Sequence, residues 1–308
     1  MMLDIHASGV YVIAATPFTD DGAIDSASVD RMTDFYLGHG VTGITVLGIM
    51  GEAPKLTHAE SVGLTRQVVQ RAKVPVVVGV SAPGFASMGA LAKDVMGVGA
   101  GGVMIAPPAT VKTDDQIVAY YANAVEAIGS DVPFVLQDYP YASGVVMAPS
   151  VIRRIVTDNP ACAMLKHEDW PGLEKISQLR AWEREGAMRR IAILTGNNAL
   201  FLDFEMERGA DGANTGYCFP DMLVDVVRWS AAGRRDDAHD LFDAHLPLIR
   251  YEQQPGPGLA VRKYVMMRRG IIASDTLRRP GAALTAAARA EVDYLLARLA
   301  RRDPRARI

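Results

Sequence analysis

The sequence predicts an α/β protein folded as a (β/α)8 TIM barrel with a C-terminal helical appendage. Two observations support this prediction. Short apolar runs of strand length alternate with amphipathic stretches of helical length, and after Pro220 the strand pattern disappears while helical patterns continue. Eight βα units fit into about the first 230 residues, and that number favours a closed barrel over an open doubly wound sheet.

The predicted strands are rich in Val and Ile and do not alternate strictly between apolar and polar residues. This pattern is typical of parallel strands that are covered on both faces. The eight runs span residues 10–15, 43–47, 74–80, 102–105, 134–137, 161–166, 192–195 and 212–214.

Helix start signals lie between these runs. Thr57 and Glu60 form a capping box that opens a helix, and Thr113 precedes another helix with two acids in its first turn. Ser26 is the expected cap of the first helix. The last four helices are predicted at 222–232, 235–249, 259–268 and 285–301. We therefore expect a catalytic barrel over residues 1–232 and a C-terminal helical domain over residues 233–308.

The composition of the chain excludes some classes of binding partner and indicates a cellular compartment. The formal net charge of −3 over 308 residues provides no basic field for a nucleic acid. The two cysteines show neither disulfide-framework nor zinc spacing, which favours a reducing compartment. The apolar runs are far shorter than the ~20 residues of a membrane helix, and the N-terminus lacks the features of a secretory signal. We expect a cytoplasmic protein without a nucleic-acid or membrane partner.

In a barrel of this kind, catalytic groups come from the carboxyl ends of the strands. Lys166 directly continues the apolar run before it, whereas Lys55 and Lys112 fall in loops, where lysines are usually solvated. A poorly solvated position favours the neutral amine, which is the nucleophilic form. The alternative is a buried lysine paired with Asp138 or Glu168 for structural reasons.

Strand geometry adds two candidates for proton transfer. Side chains two residues apart share a face, so Tyr139 should lie above Gln137 and Glu168 above Lys166. We expect Tyr139 to act as the proton relay, with Glu168 assisting. The alternatives are a rim tyrosine that meets water and a glutamate in a salt bridge with a basic loop residue. Asp138 should point outward.

A metal site is not expected. His167, Glu168 and Asp169 are consecutive, and consecutive side chains diverge on a strand. In addition, no second histidine lies at ligand spacing.

Five short motifs occur in one order along the chain. They are Thr16-Pro17-Phe18 with Asp21-Gly22, Gly48-x-x-Gly51-Glu52, Tyr139-Pro140, the strand-ending Lys166, and Gly196-Asn197-Asn198. Their order resembles that of the dihydrodipicolinate synthase and N-acetylneuraminate lyase superfamily of class I aldolases, over nearly the whole chain.

The resemblance implies a Schiff base between Lys166 and a 2-oxo acid such as pyruvate. It also implies no metal and no organic cofactor, and a homo-oligomer, either a tetramer or a dimer. Together with the strand ends, it indicates a set of substrate-binding residues: Gly48, Ile49, Met50, Gln137, Gly196 and Asn214. The backbone amides of the Gly48–Gly51 loop can hold a substrate carboxylate.

The chain departs from the family pattern at positions that serve one reaction. Ile49 and Met50 stand where the family has two threonines, and Gln137 stands where it has the relay tyrosine. Ala109 and Ala142 fall where dihydrodipicolinate synthases have a partner-subunit tyrosine and a substrate-gripping arginine. These departures favour a different specificity.

We therefore expect a Schiff-base-forming lyase, of aldolase or dehydratase type, that acts on pyruvate or a hydroxylated 2-oxo acid. The first alternative is dihydrodipicolinate synthase itself (4-hydroxy-tetrahydrodipicolinate synthase). The second is a catalytically silent paralogue that binds a 2-oxo acid.

Overall fold

A computed structural model describes residues 1–170 and 172–308. Eight parallel strands close into a barrel in the order β1 to β8, and β8 pairs with β1. The strands are β1 (Gly9–Ile13), β2 (Gly43–Val46), β3 (Val76–Gly79), β4 (Gly102–Ile105), β5 (Phe134–Asp138), β6 (Cys162–His167), β7 (Ala192–Thr195) and β8 (Gly212–Ala213). The predicted fold class is confirmed, and every predicted run overlaps its strand.

Twelve α-helices surround and follow the strands in the described part of the chain. They are α1 (Ser26–Gly38), α2 (His58–Arg71), α3 (Phe85–Gly97), α4 (Asp114–Ile128), α5 (Pro140–Ser143), α6 (Pro149–Asp158), α7 (Leu173–Arg184), α8 (Leu202–Glu207), α9 (Pro220–Ala231), α10 (Arg235–Glu252), α11 (Gly258–Arg268) and α12 (Ala286–Leu299). None of the described helices is long and apolar enough to span a membrane.

The helix caps agree with the sequence at two positions and differ at one. Thr57 and Thr113 each accept from the backbone three residues later in a complete capping box. The expectation for Ser26 was wrong, because the cap of α1 is Asp25, whose side chain accepts from the amide of Ser28. Ser26 is instead the first residue inside the helix.

Two apolar layers stabilise the barrel. Side chains between the strands and the helices form the larger layer, and a smaller cluster fills the interior. Tyr11 belongs to this interior cluster, and its ring fits because Gly43 on the neighbouring strand lacks a side chain: a Cβ there would lie 2.2 Å from the ring. The interior is therefore a packed core, and open space begins only above it, at the carboxyl ends of the strands.

After β8 the described chain is helical, as predicted from Pro220 onward. Two elements of this part return to the barrel mouth. Lys263 on α11 donates to Glu52 (2.6 Å), which follows β2, and the amide of Arg278 also donates to Glu52 (3.1 Å). The division between residues 232 and 233 stays a prediction.

Candidate active site

A cavity opens at the carboxyl ends of the strands, and we call it the mouth cavity. Its walls come from strand ends, from the loops that follow them, and from the C-terminal helices. The lining residues are Ile13, Ile49, Met50, Gln137, Tyr139, Lys166, Glu168, Asn197, Asn198, Thr215, Gly216, Gln253 and Arg262.

Three polar side chains form a connected group in the wall of this cavity. Lys166 Nζ lies 3.0 Å from Glu168 Oε1, and Gln137 Nε2 donates to the same oxygen at 2.7 Å. Each of the three is only 5% exposed. The group therefore joins an amine, a carboxylate and an amide in a poorly solvated place, where an amine can act as a nucleophile and a carboxylate can move its proton.

Strand register explains this arrangement. Gln137 on β5 lies opposite Lys166 on β6, and Glu168 follows two residues after Lys166 on the same face. Its second oxygen, Oε2, accepts from the amide of Asn197 at 3.1 Å. Gly196 leaves room for this carboxylate, because a Cβ there would lie 2.4 Å from Glu168 Cγ. The predicted placement of Glu168 beside Lys166 is found in the structure.

Tyr139 lines the cavity nearer the solvent. Burial, followed by the negative charge of Glu168, raises the pKa of Tyr139 to about 12. Its hydroxyl is therefore protonated throughout the physiological range. Tyr139 can donate a hydrogen bond to a substrate there, but it does not give up its proton readily.

The other predicted binding residues are placed differently. Ile49 and Met50 line the cavity, and Ile49 is 60% exposed. Gly48 lies beneath them, where a Cβ would be 3.2 Å from Ile13. Asn214 is fully buried below the cavity and accepts from the Thr45 hydroxyl (3.2 Å). Gly48, Gly196 and Asn214 thus support the described wall without lining it.

The outward-facing residues of the same strands form a separate network. Asp138 accepts from Lys175 on α7 (2.8 Å), which also contacts Asp169 (2.7 Å). Burial raises the pKa of Asp138 to about 6, and burial together with Lys175 lowers the pKa of His167 to about 4. This network connects the helix-facing side of β5 and β6 to α7, so its charges lie away from the cavity. Asp138 therefore points outward, as expected.

Sequence reasoning missed the contribution of the C-terminal helices. Arg262 on α11 and Gln253 after α10 both line the cavity. Arg262 donates from Nε to Glu252 (2.6 Å) and from Nη2 to the Gly216 carbonyl (2.6 Å). One signal was present in the sequence: Arg262 and Lys263 interrupt an otherwise apolar helical segment, and charges inside a buried helix need buried partners.

The loop after β7 adopts a rare backbone conformation. Asn197, Asn198 and Ala199 have φ values of 50°, 56° and 64°. Such left-handed residues cost free energy and cluster at functional sites. Here the conformation directs the Asn197 amide towards Glu168 and the Asn198 side chain towards Arg262.

Three of the departures noted in the sequence, Ile49, Met50 and Gln137, line the cavity, and two lie outside the described lining. Ala109 and Ala142 are both exposed and are not among the described lining residues. Across residues 1–170 and 172–308, no group of three His, Cys, Asp or Glu side chains is arranged to hold a metal ion.

Comparison with known proteins identifies the family. The model of the dihydrodipicolinate synthetase family matches residues 6–299. An L-2-keto-3-deoxyarabonate dehydratase of Azospirillum brasilense is 33% identical, over 96% of this chain and 94% of the relative. A 4-hydroxy-tetrahydrodipicolinate synthase of Chlorobium luteolum is 29% identical, over 92% of this chain and 95% of the relative.

Among solved structures, a dihydrodipicolinate synthase from Rhodopseudomonas palustris is 62% identical. It superposes with a TM-score of 0.96 and covers 97% of this chain and 99% of its own. A putative dihydrodipicolinate synthetase from Pseudomonas aeruginosa is 26% identical, with a TM-score of 0.85, over 95% of this chain and 99% of its own. The chain therefore belongs to the dihydrodipicolinate synthetase family and is a Schiff-base-forming lyase of the class I aldolase type.

Proposed function

We propose that this lyase is a dehydratase of a 3-deoxy-2-oxo acid with a hydroxyl group at C4, and that Lys166 forms the Schiff base. The observation that carries the proposal is the buried group of Lys166, Glu168 and Gln137, in which one carboxylate contacts both the amine and the amide. The name of the Azospirillum brasilense relative supports the reaction type, because it denotes a dehydratase of an acid of this class.

The first step is imine formation. Glu168 takes a proton from the Lys166 ammonium, and the neutral amine attacks C2 of the substrate. The C2 oxygen then receives one proton from the amine and one from the Glu168 carboxyl group and leaves as water. Glu168 is again a carboxylate, and a C=N bond with a protonated nitrogen replaces the C=O bond. Gln137 holds the carboxylate in position through its N–H donor. The imine makes the protons on C3 acidic, because the positive nitrogen accepts the electron pair of the broken C–H bond.

The second step is elimination. The Glu168 carboxylate takes a proton from C3, and the resulting enamine expels the C4 hydroxyl group. The same carboxyl group returns the proton to the departing oxygen, so that C3 loses hydrogen, C4 loses hydroxide and one water leaves. Hydrolysis of the imine restores Lys166. No oxidant or reductant is needed.

Two further roles belong to the loops. The backbone amides of Ile49 and Met50, which both line the cavity, are proposed to hold the substrate carboxylate, whereas the Gly51 amide already donates to the Gly48 carbonyl (3.0 Å). Tyr139 is proposed to donate a hydrogen bond to a substrate oxygen near the solvent side. Its raised pKa makes this role fit better than that of the main proton carrier.

Dihydrodipicolinate synthase activity is the second candidate, and the name of the 62% identical structure favours it. Against it stand Ala109 and Ala142, which are exposed and outside the described lining. A silent paralogue that only binds a 2-oxo acid is less well supported, because both Lys166 and a carboxylate for proton transfer are retained.

We also propose that the chain forms a homotetramer or a homodimer and works in the cytoplasm on a small 2-oxo acid, without a cofactor. The assembly is suggested by the family resemblance, and sedimentation velocity would measure it. The compartment is suggested by Cys162 and Cys218, which are both free and buried.

The Schiff base is tested by reductive trapping. Incubation with pyruvate and borohydride should add one reduced pyruvyl group to Lys166, detected by peptide mass spectrometry. Lys166→Ala should abolish the adduct, and Lys112→Ala, at a loop lysine that does not line the cavity, should leave it unchanged. An adduct on a different lysine, or no adduct with any 2-oxo acid, would contradict the proposal.

The dehydratase activity is tested separately with 4,5-dihydroxy-2-oxopentanoate. We expect its dehydration, followed by liquid chromatography with mass detection, at an ordinary enzyme rate of ~1 s⁻¹ or faster. An adduct without dehydration would leave the Schiff base standing and reject the proposed reaction.

A further inference from the structure

One charged side chain in the wall of the mouth cavity has an unused donor. Arg262 is 2% exposed and lines the cavity. Its Nε contacts Glu252, and its Nη2 contacts the Gly216 carbonyl and the Asn198 side chain. Nη1 is buried and has no hydrogen-bond partner among the described residues. Because a buried donor without a partner costs free energy, the fold maintains this one at a cost.

The surroundings of Arg262 are shaped around its guanidinium group. A Cβ on Gly216 would lie 1.9 Å from Nη1, so the guanidinium group fills the space that a side chain at this position would take. A Cβ on Gly258 would lie 2.2 Å from the Glu252 carbonyl, so glycine also allows the turn that brings α11 back against α10. Asn198 contributes its contact from a left-handed backbone conformation. Three separate elements thus fix the guanidinium in one orientation.

We propose that Arg262 is a specificity-determining residue whose Nη1 donates a hydrogen bond to the C5 hydroxyl of the substrate. This inference rests on the proposed function. Lys166 binds C2 in that function, so the atoms farther along the substrate lie against other parts of the cavity wall, to which Arg262 belongs. Arg262 is the cationic side chain in the described lining other than Lys166.

The charge balance favours a hydroxyl group over a second carboxylate at this position. Glu252 already neutralises the guanidinium through Nε. A further carboxylate would add an uncompensated negative charge in a buried place, where charge is expensive, whereas a hydroxyl oxygen needs only a directed donor. A substrate that lacks the hydroxyl leaves Nη1 unpaired, and this is how a binding site rejects a deoxy analogue.

The test compares two substrates that differ at C5 only: 4,5-dihydroxy-2-oxopentanoate and 4-hydroxy-2-oxopentanoate. For each acid, the concentration that halves pyruvate trapping at Lys166 gives its binding without requiring turnover. We expect the unsubstituted protein to prefer the dihydroxy acid by ~10–100-fold, the range of one hydrogen bond to a charged donor. Arg262→Met should remove the preference by weakening binding of the dihydroxy acid only.

Two further variants keep the test decisive. Arg269→Met removes an arginine at the end of α11 that is paired with Asp221 (2.8 Å) and lies outside the described lining, and it should keep the preference. Arg262→Lys retains a cation beside Glu252 if Arg262→Met does not fold, and it should also lose the preference, because one amine cannot serve every contact of the guanidinium.

The outcomes separate the two proposals. Equal weakening of both acids in the Arg262 variants, or an unchanged preference, would overturn the role of Arg262 even if dehydration occurs. A preference that depends on Arg262, without dehydration of either acid, would support the role of Arg262 and reject the dehydratase.

Discussion

Glu168 makes more contacts than a salt bridge with Lys166 alone would require. One oxygen is shared by Lys166 and Gln137, and the other accepts from the backbone of the next strand loop. A carboxylate held in this way keeps its position when it gains or loses a proton. This positioning is what an acid–base group requires before its pKa matters.

Glu168→Gln should therefore slow dehydration by roughly 10²–10⁴-fold, the range typical of a lost acid–base group. Tyr139→Phe should slow it by about tenfold or less, because one hydrogen bond is lost. Steady-state kinetics of both variants provide the measurement, with the pyruvate adduct as a check that Lys166 still reacts. Full activity in Glu168→Gln would remove Glu168 from the mechanism, and a larger loss in Tyr139→Phe would restore the relay expected from the sequence.

Strand parity alone placed Tyr139 and Glu168 at the mouth, and both line the cavity. Parity did not predict which of the two is the main proton carrier. That role depends on whether the Tyr139 hydroxyl or the Glu168 carboxylate contacts Lys166, and the structure has Glu168 in contact. That contact needs Gly196 on the neighbouring strand loop, where any side chain would collide with Glu168. Local pattern thus predicted the direction of the side chains, and only the packing between elements revealed their contacts.

At the scale of single elements, α8 carries an unusual acid behind β7. Glu205 is 5% exposed. Its Oε2 and the nearby Thr195 hydroxyl are both buried without a hydrogen-bond partner in the described structure. Burial raises the pKa of Glu205 to about 8. The folded protein therefore holds this proton more tightly than the unfolded chain does.

This carboxyl group makes stability dependent on pH. Below the ordinary glutamate pKa of 4.5, both states are protonated and the group has no effect. Between 4.5 and about 8, only the unfolded state releases the proton, so the free energy of unfolding falls as pH rises. Glu205→Gln should remove this loss and stabilise the protein at pH 9 by at most about 5 kcal/mol, at about 1.4 kcal/mol per pKa unit.

Urea unfolding at several pH values measures this effect, with Glu185→Gln, at an exposed glutamate, as the matched control. The two variants should have equal stability near pH 4 and diverge progressively between pH 4.5 and about 8. A constant difference across the whole pH range would show that Glu205→Gln acts through packing alone.

At the scale of the whole molecule, the eight strands and the late helices were predictable because each is a local pattern repeated along the chain. The C-terminal contribution to the site was not. Arg262 reaches the cavity because a turn after α10 reverses the chain and because Gly216, against which the guanidinium group packs, has no side chain. Contacts between segments so distant in sequence leave no periodic signal, although paired charges in a buried helix are a usable hint.

The specificity prediction also belongs to the whole molecule. With pyruvate and aspartate semialdehyde, the protein should form little or no dihydrodipicolinate, because Ala109 and Ala142 stand where the family resemblance places a tyrosine and an arginine. A reductase-coupled assay measures this product, and the dehydration of 4,5-dihydroxy-2-oxopentanoate in the same preparation is the control. Turnover of ~1 s⁻¹ or faster would show that the synthase function is intact.

The ion pair between Glu52 and Lys263 joins the loop after β2 to α11, and both side chains are almost fully buried. A ribosome makes the first of these residues long before the second. A nascent chain that has completed all eight strands already pairs Glu52 with Lys55, but it still lacks Lys263 and the cavity still lacks Arg262. We therefore expect the wall of the mouth cavity to be complete only after α11 has been synthesised and has docked against the barrel.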